Sequence, residues 1–389
     1  MISPRFLLVA LIAAAPSVAH AQGCISSASR LGKTSNQHIS RNDDRNRVLT
    51  VRWQRGDCEL RVDARGEFGV RADLTGFTTV ESGGYVEIEE RDGDRERKVR
   101  VTGGPAGLHY RWTIDGDSGF DVSRERWLSE ILVAMERRTA MFAKARIPEL
   151  LRRGGPNAVL EETDRMESDY ARRVYFTTLL AAAPLDDAAL ERMLRQAGAM
   201  SSDYERSELL RAVASRGPMS ERVTRAVIGV AHRMSSDYEK RRALSAGLES
   251  VTTVEARNAL FLAASTMSSS YELAELLIAA QRRSLVDSIS SVAYFRAVDK
   301  LTSDYEHRRT LSALLKQRPE SPAVLSGVLR SSEKIGSDHE LANLLTEFAR
   351  VVPVRGELRE LYLKAARAIE SDYEYRRALQ ALLEQDRHT

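Results

Sequence analysis

Apolar and polar residues alternate along this chain with two different periods. Between residues 46 and 120 the apolar positions fall at every second residue in short runs. Leu49, Val51 and Trp53 form one run; Leu60 and Val62, Val86 and Ile88, Val99 and Val101, and then Leu108, Tyr110, Trp112 and Ile114 form the others. That spacing predicts strands with one buried face. Asp92-Gly93 reads as a hairpin turn, and Arg65-Gly66, Gly83-Gly84 and Gly103-Gly104-Pro105 separate the remaining runs, so a small antiparallel sheet of five or six strands is expected. Its outward positions carry Glu87, Glu89, Arg95, Arg97, Lys98 and Arg100, a charged face that water can solvate. At Ser123 the period becomes helical: Trp127, Leu128, Ile131, Leu132 and Met135 follow a serine that can cap a helix start. Pro148 and Gly154-Gly155-Pro156 then delimit irregular helices.

Beyond them, Ser-Asp-Tyr-Glu-x-Arg-Arg or a close variant returns seven times, with its aromatic position at Tyr170, Tyr204, Tyr238, Tyr271, Tyr305, His339 and Tyr373. The spacing is 34 residues throughout except for one interval of 33. A fixed period of that size means one helical unit copied in series, each copy too small to bury its own apolar face. The expected architecture is therefore α+β: an antiparallel β domain over residues 46–120, then a right-handed α-solenoid over residues 121–389. That solenoid would hold an irregular cap (121–166) and about seven 34-residue helix-pair repeats (167–389).

Ser236, Asp237, Tyr238 and Glu239 serve as the type copy. Ser followed three positions later by Glu predicts a capping box, the hydroxyl accepting a helical N–H and the carboxylate reaching back to the serine N–H. The aspartate falls in the first turn, where it complements the helix dipole. Apolar residues follow at six, nine and ten positions past the tyrosine, Leu311, Leu314 and Leu315 in one copy and Leu379, Leu382 and Leu383 in the last, and these share one helical face expected to be buried. Tyr204, Tyr238, Tyr271, Tyr305 and Tyr373 are expected to pack between adjacent copies. Four residues past the aromatic, Arg242, Arg309 and Arg377 alternate with Glu208, Glu275 and Asn343, which predicts that Arg242 contacts Glu208 or Glu275.

The N-terminus adds a compartment. Arg5 precedes an apolar run from Phe6 to Val18 that ends in Ala19-His20-Ala21, too short to span a bilayer and followed by a signal-peptidase pattern. A signal peptide over residues 1–21, cleavage after Ala21, an N-terminal segment over 22–45 and a periplasmic or secreted mature chain are expected; a retained anchor is the other reading. The two cysteines, Cys24 and Cys58, read as a disulfide in an exported protein, or else as two free thiols.

Composition narrows the function classes further. The formal net charge is only +3, and residues 124–389 hold 41 Lys and Arg against 38 Asp and Glu, which lacks the basic excess of a nucleic-acid surface. No two of the seven histidines stand at metal-ligand spacing, and no phosphate loop, nucleophile elbow or Cys–His pairing occurs. The expectation is no catalytic, cofactor or metal site, and no membrane span in the mature chain.

Gly84 to Glu90, Arg126-Trp127-Leu128, Arg152 to Leu160 and the Ser-Asp-Tyr copies together resemble a bacterial family of exported HEAT-like repeat proteins. They are also similar to the extracytoplasmic tails of some penicillin-sensor-type membrane metallopeptidases. The peptidase's His-Glu-x-x-His is missing here, so the resemblance implies an envelope interaction module and carries over no catalytic residue. The expected function is a scaffold that holds a protein or peptide partner, with Arg241, Arg308 and Arg376 as candidate contacts. The alternative is a sensor of a small molecule or glycan between the β domain and the solenoid.

Overall fold

The computed structural model describes residues 36–42, 48–117 and 122–387. Contacts divide it into two units, one up to Met135 and one from Glu136. The division falls inside helix α1 (Val122–Thr139), beyond residue 120, where the change of period places it.

In the first unit β1 (Asn36–Asn42), β2 (Val48–Arg55), β3 (Cys58–Arg65), β6 (Tyr85–Asp92), β7 (Arg95–Gly104) and β8 (Gly107–Ile114) form one antiparallel sheet in the order β1-β2-β3-β6-β7-β8. β4 (Phe68–Val70) and β5 (Phe77–Val80) form a separate hairpin. Register brings Val62 opposite Ile88 and Ile88 opposite Val99, so the alternating apolar residues of the central strands bury one face. On the other face Lys98 and Arg100 both reach Glu87, at 2.8 and 3.0 Å.

Arg97 does not belong to that outer row. It lies opposite Glu90 on the inward side, 3.8 Å away, and Glu90 is buried while accepting the Trp127 indole N–H at 2.7 Å. A buried carboxylate requires such partners, and they override the outward reading of a charged residue. β1 and the β4–β5 hairpin are further elements that alternation did not reveal. Asn-Gln-His-Ile-Ser-Arg-Asn carries a single aliphatic residue, and the short hairpin strands are bent over turns. The hairpin explains Gly103, where a Cβ would stand 1.9 Å from the Val80 carbonyl oxygen.

The second unit opens on α2 (Ala143–Asp164), which is kinked at the expected glycines, with Gly155 in the left-handed region at φ 62°. Six helix pairs follow: α3 (Asp169–Ala182) and α4 (Asp187–Gly198), α5 (Asp203–Ala214) and α6 (Glu221–His232), α7 (Asp237–Ala246) and α8 (Val254–Ala264), α9 (Ser270–Arg282) and α10 (Ser291–Val298), α11 (Asp304–Leu315) and α12 (Pro322–Ser332), α13 (Asp338–Val351) and α14 (Glu357–Ala366). The seventh motif starts a single helix, α15 (Asp372–Arg387). First helices pack on first helices and second on second, making two layers around a continuous apolar core. Leu311, Leu314 and Leu315 are buried in it, as the stripe predicts, whereas in the last copy Leu382 is buried but Leu383 is 56% exposed. None of the helices among the described residues is long and apolar enough to cross a membrane. Cys58 opens β3, whereas its expected partner Cys24 and the signal segment lie outside the described residues.

Candidate functional site

Every motif serine caps its helix as expected. In the second to seventh copies Ser202, Ser236, Ser269, Ser303, Ser337 and Ser371 accept the N–H of the glutamate three residues on, at 3.3 to 3.4 Å. The second half of the capping box is replaced by an inter-copy bond. Ser202 N–H donates to Asp169 Oδ2 of the preceding copy at 2.9 Å, and Ser236, Ser269 and Ser371 donate likewise to Asp203, Asp237 and Asp338 at 2.8 Å. The same carboxylate takes the N–H of the residue before, at Ser201, Ser235 and Ser268. Asp304 takes Gly336 N–H at 3.0 Å, and Ser270, standing where the others have aspartate, accepts from Thr302 and Ser303 through its hydroxyl. The aspartate thus clamps each helix start to the next. Burial works against the charge of Asp237, yet the bonds from Ser269 and Ser268 outweigh it and hold the carboxyl below its usual range.

Released from the capping box, the glutamates join a charge zipper. Arg173, Arg241 and Arg308 reach forward to Glu205, Glu272 and Glu340 of the next copy. Arg242 and Arg309 reach back to Glu208 and Glu275 at 2.9 and 2.8 Å while also holding their own copy's Glu239 and Glu306. Arg377 does the same with Asn343, at 2.6 Å, and Glu374. Copies with two arginines alternate with copies that present acids. Of the two alternatives expected for Arg242, Glu208 or Glu275, the structure shows Glu208.

Two expectations are corrected here. Arg241 and Arg308 are committed to the zipper, so of the three arginines offered as partner contacts only Arg376 is exposed without a partner among the described residues. The tyrosines, in turn, are less enclosed between copies than expected. Tyr170, Tyr204, Tyr238, Tyr271 and Tyr305 are 49 to 56% exposed and Tyr373 72%. They stand in the first helical turn beside the Asp and Arg–Glu contacts, with about half or more of each ring in solvent. Guanidinium groups stand over four rings: Arg173 over Tyr170 and Arg308 over Tyr305 at 5.2 Å, Arg241 over Tyr238 at 5.5 Å and Arg309 over Tyr271 at 5.9 Å. His339 continues the row and meets Glu374 at 3.0 Å.

The result is a row of aromatic faces at one position in successive copies, on helix starts that the Asp and Arg–Glu bonds join to one another. On the second-helix layer, Glu191, Arg222, Arg225, Gly229, His232 and Leu262 line a shallow groove of about 480 Å³, where Arg222 is tied to Glu191 at 2.5 Å. No family model and no curated protein matches the chain. A solved chain from "Computational Design of Self-Assembling Cyclic Protein Homooligomers" aligns over 62% of this chain and 92% of its own length at 16% identity. Its TM-score is 0.14, a likeness that carries nothing about fold or assembly.

Proposed function

We propose that this protein is an exported, non-enzymatic binding protein whose solenoid holds an extended protein or peptide segment along the tyrosine row. The observation behind this reading is the row itself: half-exposed rings in register, flanked by guanidinium groups, on helix starts joined by inter-copy clamps. Large aromatic surface left in water on a rigid array is unusual unless a ligand covers it. Adjacent packed helices stand about 8–10 Å apart, and an extended chain rises about 3.3 Å per residue. Every third residue of a bound segment therefore meets the next ring. Aromatic grooves of this kind favour segments already extended, since little conformational freedom is lost on binding. Export and a Cys24–Cys58 bridge belong to the same reading, supported by the leader pattern, the isolated cysteine pair and the resemblance to extracytoplasmic repeat tails.

The test replaces Tyr204, Tyr238 and Tyr271 together by Ala. These side chains are exposed, so the fold should persist by circular dichroism. Capture of a stoichiometric partner from envelope extract is expected to drop to background. Unchanged capture would reject the face, and turnover of a substrate by the purified protein would reject the non-enzymatic reading.

A further inference from the structure

The six interfaces between successive motif helices serve as templates for what one such helix demands of the next. Its aspartate, or Ser270 in the fourth copy, accepts backbone N–H groups from the following helix start. In the first, third and fifth copies, the arginine three residues past the tyrosine pairs with the following copy's glutamate. The leucine ten residues past the tyrosine completes the seam where it occurs, and Leu315 is fully buried there.

α15 carries all three groups in uncommitted form. Asp372 and Arg376 are exposed and have no partner among the described residues. Leu383, the counterpart of Leu315, is 56% exposed, and Tyr373 is the most exposed ring of the row. α15 thus presents the same groups with which the earlier motif helices hold the next one.

We propose that the outward face of α15 is a docking site for a partner helix whose N-terminus carries a serine cap followed three residues later by glutamate. The serine's backbone N–H would go to Asp372, the glutamate to Arg376, and apolar residues of the first turns to Leu383. A second copy of this chain does not supply that helix. Its first motif has Ala171 where the carboxylate is needed, and Glu205, Glu239, Glu272, Glu306, Glu340 and Glu374 are all held internally.

The probe is a hydrocarbon-stapled, fluorescein-labelled peptide of residues 335–352, an acid-bearing motif helix from this same chain, with its helicity checked by circular dichroism. Titrated with the full chain, it is expected to bind saturably at one site. Arg376→Glu should weaken binding about tenfold, the scale of losing a favourable contact and gaining a like charge. A peptide with Glu340→Arg should recover most of that loss on the Arg376→Glu protein. Absence of saturable binding, or binding indifferent to both reversals, overturns the proposal. So does concentration-dependent self-association in sedimentation that Arg376→Glu abolishes, since a second copy would then be the occupant. A second measurement joins residues 322–369 to the end of the chain, which places the added Ser337 34 residues past Ser371, where effective concentration is high. The unfolding midpoint should rise, lose the gain when the added copy carries Glu340→Arg, and regain it with Arg376→Glu; a midpoint that does not rise also overturns the proposal.

Discussion

His307 shows how one position in the array is filled by different chemistry. Two residues past the aromatic, successive copies carry Arg172, Arg206, Lys240, Leu273, His307, Leu341 and Tyr375. Arg172 donates to the Met166 carbonyl and Arg206 to that of Met200, so the longest side chains reach back to the end of the preceding helix pair. The buried Lys240 meets Thr266 Oγ1 at 2.9 Å, and the buried His307 meets Ser331 Oγ at 2.9 Å. Burial favours the neutral form of both, lowering the lysine and pushing His307 down to about 4 against the opposing pull of Asp299 and Asp304. The sign for stability follows from which state binds the proton. Between about pH 4 and 6.5 the unfolded histidine is protonated while the folded one is not, so protons favour unfolding there and stability falls as pH drops. The full effect is roughly 3 kcal/mol at most. His307→Leu installs the residue that the fourth and sixth copies use, and it should flatten the stability profile between pH 6.5 and 4 in urea titrations. An unchanged slope would assign that acid sensitivity to other groups.

At the scale of the element, the aspartate clamp decides how one helix start is joined to the next. Asp203 accepts the N–H groups of Ser235 and Ser236 at 2.8 Å each. Asp203→Ala leaves both donors to water or unpaired, and a loss of about 1–3 kcal/mol is expected. Asp203→Ser should lose less, because Ser270 performs the same role in the fourth copy with its hydroxyl at 3.0 and 3.2 Å. Equal losses for Ala and Ser in chemical denaturation would mean that the clamp is no more than first-turn electrostatics. The clamp was legible in part. The 34-residue recurrence, the serine caps, the buried leucine stripe and a contact of Arg242 with Glu208 or Glu275 follow from spacing alone, because helix periodicity and nearest-neighbour stacking leave little freedom. The partners of Asp and Glu do not follow, since a capping box and an inter-copy bond require the same residues in the same order. Only the serine, threonine or glycine that usually stands before the cap hinted that a second backbone group needed an acceptor. Tyrosine exposure was misread for a related reason: a constant aromatic looks like core, yet these rings stand beside polar contacts with about half or more of each in solvent. In the β unit, Arg97 was misplaced because its neighbour Glu90, charged in sequence, turned out to be buried.

For the molecule as a whole, stability in the second unit is a sum over interfaces between neighbours, since each helix pair contacts mainly the pairs before and after it. The contact from α7 to α9 is near the middle of that series and combines both polar devices: Asp237 holds Ser268 and Ser269 at 2.8 Å, and Arg241 holds Glu272. Such an array unfolds as one cooperative block only while each interface is strong compared with the imbalance in stability on its two sides. Asp237→Ala combined with Arg241→Ala weakens this one interface and leaves the flanking cores intact. The expected outcome is a lower apparent m-value, or two resolved steps, in guanidinium titration. Amide exchange should then open α9 to α15 and α3 to α8 with different free energies. A single transition that keeps the wild-type m-value and shifts only its midpoint would show that apolar packing between α7 and α9 couples the array without help from the polar clamp.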